Sequence, residues 1–143
     1  MKKDILFVVV IGCGRLGAYL ANRLSGQGCS VVVIDQHQAA FDGLTVEFGG
    51  FRVEGDCTEL AVLKQAKIEK ADIVVATTNE DNINLMVAQI ARQVFKVPRV
   101  IARVYQPERE TVYRVMGIET ICPTTLAGEH LLGFIRSNPS NSG

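Results

Sequence analysis

Tryptophan is absent from this chain, and histidine occurs only at His37 and His130. Cysteine occurs four times, at Cys13, Cys29, Cys57 and Cys122, without a single CxxC pair. Scattered thiols and unclustered imidazoles indicate neither a zinc site nor a disulfide framework, so the cysteines are expected to be reduced. An excess of one charge is missing too, because 15 Lys and Arg residues balance 15 Asp and Glu residues. Without a basic footprint the chain offers little to DNA, RNA or an anionic membrane surface. No apolar run approaches the roughly 20 residues that span a bilayer. The first run, Ile5 to Ile11, has no small-residue cleavage site after it, so neither a membrane anchor nor a signal peptide is expected and the location reads as cytosolic. Internal repeats and low-complexity inserts are also lacking.

What is present is enough apolar material for one domain: 143 residues, of which 48% are hydrophobic and 21% charged. The run Ile5-Leu6-Phe7-Val8-Val9-Val10-Ile11 reads as a buried parallel strand, and it leads into Gly12-Cys13-Gly14-Arg15-Leu16-Gly17. After the glycines, apolar Leu16, Tyr19, Leu20 and Leu24 recur at helical spacing. A strand, a glycine turn and a helix in that order form the start of a dinucleotide-binding unit. Gly12 takes the tight turn, Gly14 leaves room for a pyrophosphate, and Gly17 lets the helix approach the strand. The free N–H groups and positive end of the helix would then attract phosphate. Cys13 is read as a small residue filling the turn.

A GxGxxG alone is weak, but its second half is also here. Cys29-Ser30-Val31-Val32-Val33-Ile34-Asp35 reads as a second buried strand ending in a carboxylate about 20 residues beyond the glycines, where ribose hydroxyls are held. Asp35 would repel a 2′-phosphate, and Gln36 and His37 after it supply no arginine, which favours NAD or an adenosine nucleotide over NADP. His37 to Phe48 reads as a mixed helical segment and Phe51 to Glu54 as a third strand. Asp56 or Thr58 would cap the helix carrying Leu60, Leu63 and Ile68. The alternative for Asp56 is contact with the adenine region, and local pattern leaves both open.

Asp72 to Ala76 is a fourth strand, followed by the polar cluster Thr77-Thr78-Asn79-Glu80-Asp81-Asn82 and an amphipathic helix to about Phe95. Thr78 with Asp81 has the form of a capping box, and the cluster suits the ligand-binding end of a doubly wound sheet. Arg99 to Val104 is a fifth strand with Arg103 near its end. Pro107 opens a short helix, Ile118 to Cys122 is a sixth strand, and Pro123 opens a last helix with Leu126, Leu131, Leu132, Phe134 and Ile135. Each crossover between strands carries a helix, as parallel pairing requires. The expected architecture is α/β: a Rossmann doubly wound parallel sheet of six strands in the order 3-2-1-4-5-6, with helices on both faces. It occupies residues 1–136 and leaves 137–143 as a disordered tail.

These pieces resemble the N-terminal, nucleotide-binding domain of Trk-type potassium-uptake regulators, the RCK or KTN domain. The resemblance rests on Ile11 to Gly17, Val33-Ile34-Asp35, Gly55-Asp56-Cys57-Thr58, Ala76 to Asn84, Ile101-Ala102-Arg103-Val104 and Gly117-Ile118. It implies phosphate contacts from Gly12, Cys13, Gly14, Arg15, Leu16 and Gly17, and ribose contacts from Asp35 with Gln36 beside it. It also implies adenine-side contacts from Asp56 and Cys57, a remaining wall made by Thr77, Thr78 and Asn84, and Arg103 nearby. Thr124 and Thr125 follow Pro123 where some members carry an acidic residue, so no metal site is carried over. The implied ligand is NAD or NADH, or else ATP, ADP or AMP. The implied partner is a membrane potassium transporter or channel subunit, with the protein held through it at the inner face of the membrane.

An enzyme of this fold would need a second lobe to hold substrate against the nicotinamide, and neither histidine is placed as an acid or base beside a hydride acceptor. A small NAD-dependent oxidoreductase or an unrelated redox-sensing module is therefore the alternative, and a non-enzymatic regulator is the expectation. A sensor that turns occupancy into motion needs something to move against. The apolar last helix accordingly predicts a homo-oligomer, a dimer or larger, built on the C-terminal third.

Overall fold

Val8 to Ile11, Val31 to Ile34 and Val74 to Ala76 are almost wholly buried, and these β-branched runs make the centre of the sheet. The computed structural model describes residues 5–137. Its strands are β1 (Phe7–Ile11), β2 (Ser30–Asp35), β3 (Phe51–Glu54), β4 (Ile73–Ala76), β5 (Arg99–Arg103) and β6 (Glu119–Ile121). They form one parallel sheet in the order 3-2-1-4-5-6, as expected. Val8 lies opposite Val31 on one side and Ile73 on the other, which fixes β1 in the middle.

Side-chain alternation gives each face its own core. Val9, Ile11, Val32, Ile34 and Val74 pack with Leu63 of α2 (Leu60–Gln65), Val87 and Ala88 of α3 (Asp81–Gln89), and Tyr113 of α4 (Glu110–Val115). On the other face, Val8, Val10, Val31 and Val33 meet Ala18 and Ala21 of α1 (Arg15–Gly26), with Phe41 and Phe48. The last helix, α5 (Pro123–Arg136), begins at its proline as expected but has no buried residue.

Several local expectations are corrected. In α1 the buried positions are Gly17, Ala18, Ala21 and Asn22, while Tyr19 is exposed. Small residues let that helix come close to the sheet, and the larger apolar groups lie at its flanks. His37 to Phe48 contains only a 3₁₀ turn, Gln38–Gly43. Ile68 is buried in a separate 3₁₀ turn after Lys67, whose φ of 60° breaks the helix. The stretch after α3 continues as a π turn, Ile90–Val94. The expected tail lies outside the described residues except for Ser137. Among the described residues no helix is long and apolar enough to cross a membrane.

A crevice at the carboxyl ends of the strands

The turn between β1 and α1 is shaped by contacts that leave almost no tolerance. Gly12 has φ of +99°, and a Cβ there would stand 3.0 Å from the backbone of Thr77 and Thr78. A Cβ on Gly17 would come 1.9 Å from the Gly12 carbonyl oxygen, so α1 presses directly on the turn. Gly14 is different: a Cβ there meets nothing within 4 Å, and the residue lines an open cavity of about 280 Å³. No side chain caps α1 and no acid occupies its first turn. Its first N–H groups are left to an acceptor from outside the helix.

Asp35 ends β2 beside this turn. Its Oδ2 accepts the Cys13 N–H at 2.8 Å and its Oδ1 accepts the His37 N–H at 2.8 Å. The carboxylate therefore braces the glycine turn, a task the sequence did not reveal, and retains lone pairs for further donors. Protonated His37 would also pair with it, Nδ1 lying 3.6 Å from Oδ1. Gln36, His37 and Ala40 line the cavity on this side, and Gly55, Asp56 and Cys57 line it from the end of β3.

Asp56 caps a turn rather than the helix. Its Oδ1 accepts the Thr58 hydroxyl at 2.7 Å and the Thr58 N–H at 2.9 Å, which holds the Asp56 carboxyl below the usual range. The residue preceding α2 is Glu59, with no side-chain cap. Burial, reinforced by the charge of Asp56, pushes the Cys57 thiol up to about 11. Burial and the Asp35 charge do the same for Cys13, also to about 11. Both stay as neutral thiols near pH 7, which does not suit a nucleophile.

The β4 side is held by a network. Thr77 is buried, and its hydroxyl lies 3.1 Å from both the Ile11 and Gly12 carbonyls. Asn84, fully buried, accepts the Thr78 N–H at 2.9 Å and the Thr78 hydroxyl at 2.6 Å through Oδ1. Through Nδ2 it donates to the carbonyls of Thr78 and Arg103, each at 3.0 Å. Asn84 thus ties the ends of β4 and β5 together behind the wall. The capping box does not form: Glu80 precedes α3, and the Asp81 carboxylate instead accepts the N–H groups of Tyr105 at 2.8 Å and Gln106 at 3.3 Å. A partner 24 positions away has taken the carboxylate from its local role.

Of the residues singled out from the sequence, Gly12, Gly14, Arg15, Asp35, Gln36, Asp56, Cys57, Thr77, Thr78 and Arg103 line one cavity. Cys13, Gly17 and Asn84 support it without lining it, and Leu16 is not among the lining residues. Asn79, Glu80 and Ile83 join the lining unassigned by the sequence reading, although the first two belong to its polar cluster. His130 is absent from the lining, and His37 stands at the Asp35 end. Among the described residues no group of His, Cys, Asp and Glu is arranged to hold a metal ion.

The chain matches the TrkA-N domain family over residues 8–123. It is similar to a Trk system potassium uptake protein TrkA of Streptomyces coelicolor, 39% identical over 89% of this chain and 57% of that protein. A homologue from Methanothermobacter thermautotrophicus is 33% identical over 88% of this chain and 58% of the relative. The chain thus spans a little over half the length of these relatives. Among solved structures, it is similar to the TrkA-N domain of the inner membrane protein ybaL from Escherichia coli. That likeness has a TM-score of 0.82 at 19% identity over 94% of this chain and all of the other. The GsuK channel bound to NAD gives 0.75 at 20%, over 92% of this chain and 24% of the channel chain. GsuK bound to ADP gives 0.78 at 23%, over 92% and 34%.

Proposed function

The chain belongs to the TrkA-N domain family, and from that premise we propose that its crevice binds NAD(H) or an adenine nucleotide and that occupancy regulates a potassium-transporting membrane partner. The observation that carries the reading is the pairing of Gly14, open to the cavity at the start of α1, with Asp35, whose carboxylate lines the same cavity. The first accommodates a phosphate against free N–H groups, and the second accepts ribose hydroxyls while repelling a 2′-phosphate. Structures of GsuK bound to NAD and to ADP, and of a Shewanella denitrificans Kef CTD in AMP-bound form, support the same ligand class.

The regulator reading is preferred to an oxidoreductase because, among the described residues, the wall beyond Thr78 carries no histidine to handle a proton beside a hydride acceptor. Regulation requires two arrangements with different affinities for the ligand. A preference of about 10–100-fold shifts their balance by roughly 1.4–2.7 kcal/mol, enough to bias a gate near balance. The second arrangement involves another copy of this unit, with α5 as contact surface, at the cytoplasmic face of the membrane partner. Calorimetric titration with NAD, NADH, ATP, ADP and AMP tests the reading. Saturable binding of at least one with no hydride transfer on a dehydrogenase screen is expected, and no binding of any would overturn it.

A further inference from the structure

Arg103 leaves the end of β5 at the cavity wall with its guanidinium only partly satisfied. Nη2 donates to the Thr78 carbonyl at 3.2 Å and to the Tyr105 hydroxyl, and the guanidinium carbon lies 4.5 Å from the centre of the Tyr105 ring. Its Nε is buried and, among the described residues, has no hydrogen-bond partner. Folded proteins leave few buried donors unpaired, because each one forfeits its bonds to water without replacement. The Arg103 side chain lines the same cavity as the glycine turn, so a ligand in that cavity can approach its guanidinium.

The sheet itself supplies a ruler. Strands β2, β1, β4 and β5 are consecutive neighbours, about 4.8 Å apart. Their carboxyl ends present Asp35, the glycine turn, Thr77 with Thr78, and Arg103 in that order. With a ribose at Asp35 and the first phosphate at the turn, a guanidinium anchored on Thr78 stands roughly 5–10 Å further along. The single phosphate of AMP stops on the Asp35 side of the turn, whereas the pyrophosphate of ADP and NAD crosses it and carries a second phosphate towards Arg103. Asn84 holds the Arg103 carbonyl, and Thr78 and Tyr105 hold its head, so the cation is positioned before a ligand arrives.

We propose that Arg103 binds the second phosphate of an adenosine diphosphate group and so selects ADP and NAD over AMP. The inference rests on the nucleotide reading of the crevice. Calorimetry with AMP, ADP and NAD on the full chain, on Arg103→Gln and on Arg103→Lys separates the two. The unaltered protein should bind ADP and NAD at least about tenfold more tightly than AMP, the effect of one charge-assisted hydrogen bond. Arg103→Gln should remove that preference while changing AMP affinity less than about twofold, and Arg103→Lys should keep part of it. Equal affinity of the unaltered chain for AMP and ADP would overturn the inference, as would equal losses for all three ligands in Arg103→Gln. If the Gln variant melts early, the Lys variant and the unaltered chain still decide. Failure of the unaltered chain to bind any of the three would instead overturn the nucleotide reading, and the inference with it.

Discussion

Asp35 accepts two backbone N–H groups with one carboxylate. Read from the sequence it is a ribose acceptor, and its removal should weaken a ligand while sparing the fold. Its bonds to the N–H groups of Cys13 and His37 change that expectation. Asp35→Ala is expected to lose about 1.5–3 kcal/mol of nucleotide affinity, the usual value of a hydrogen bond involving a charged group. It should also lose about 1–3 kcal/mol of stability, because the Cys13 N–H is left without its acceptor in a buried setting. Calorimetry and thermal melting check the two parts separately. Unchanged affinity would remove Asp35 from the binding site, and unchanged melting would show that the brace is dispensable.

At the scale of the element, two glycines of one turn separate packing from binding. Gly14→Val places its side chain in open space beside the start of α1, so the variant should melt within a few degrees of the parent yet bind no nucleotide. Gly17→Ala drives a methyl group against the Gly12 carbonyl, and a loss of about 1–3 kcal/mol or more is expected. Melting curves beside nucleotide titrations distinguish them; Gly14→Val with native affinity would refute the phosphate placement. The two roles were legible in the sequence because a strand, a turn and a helix impose their spacing locally. The strand order was legible for a similar reason, since continuous β-branched runs alternating with helices leave few topologies. Asp81 was not legible. Its spacing from Thr78 matches a cap, but the Tyr105 and Gln106 amides compete for it from across the fold. Asn84 was expected in the crevice wall itself, and only the convergence of β4 and β5 makes it a buried tie behind that wall.

For the whole molecule, the last helix is the element left uncovered. Leu131, Phe134 and Ile135 are 57%, 65% and 75% exposed, so the apolar face does not fold back onto its own sheet. The sequence predicted the face but could not say whether the sheet had room for it. Exposed apolar surface of this extent favours a second copy as its cover. Light scattering should give a dimer or larger at tens of micromolar (about 10–100 μM) for the full chain, and a smaller species for a chain ending at Thr125. A monomeric full chain with and without nucleotide would rule out motion between paired copies as the mechanism of this chain acting alone.

The glycine turn also carries a kinetic consequence. Its brace comes from Asp35, 22 positions from Cys13, and its buttress from Thr77, 65 positions from Gly12. Closing the second of those loops costs little more free energy than closing the first, since loop entropy grows only logarithmically with length. It does demand a slower search, because distant contacts retard folding far more than they weaken the product. A refolding chain can complete the β1–α1–β2 half early and still lack half the wall of its crevice. On the proposed function, nucleotide affinity should therefore emerge only in the step that joins β1 to β4, after the β1–α1–β2 half has formed.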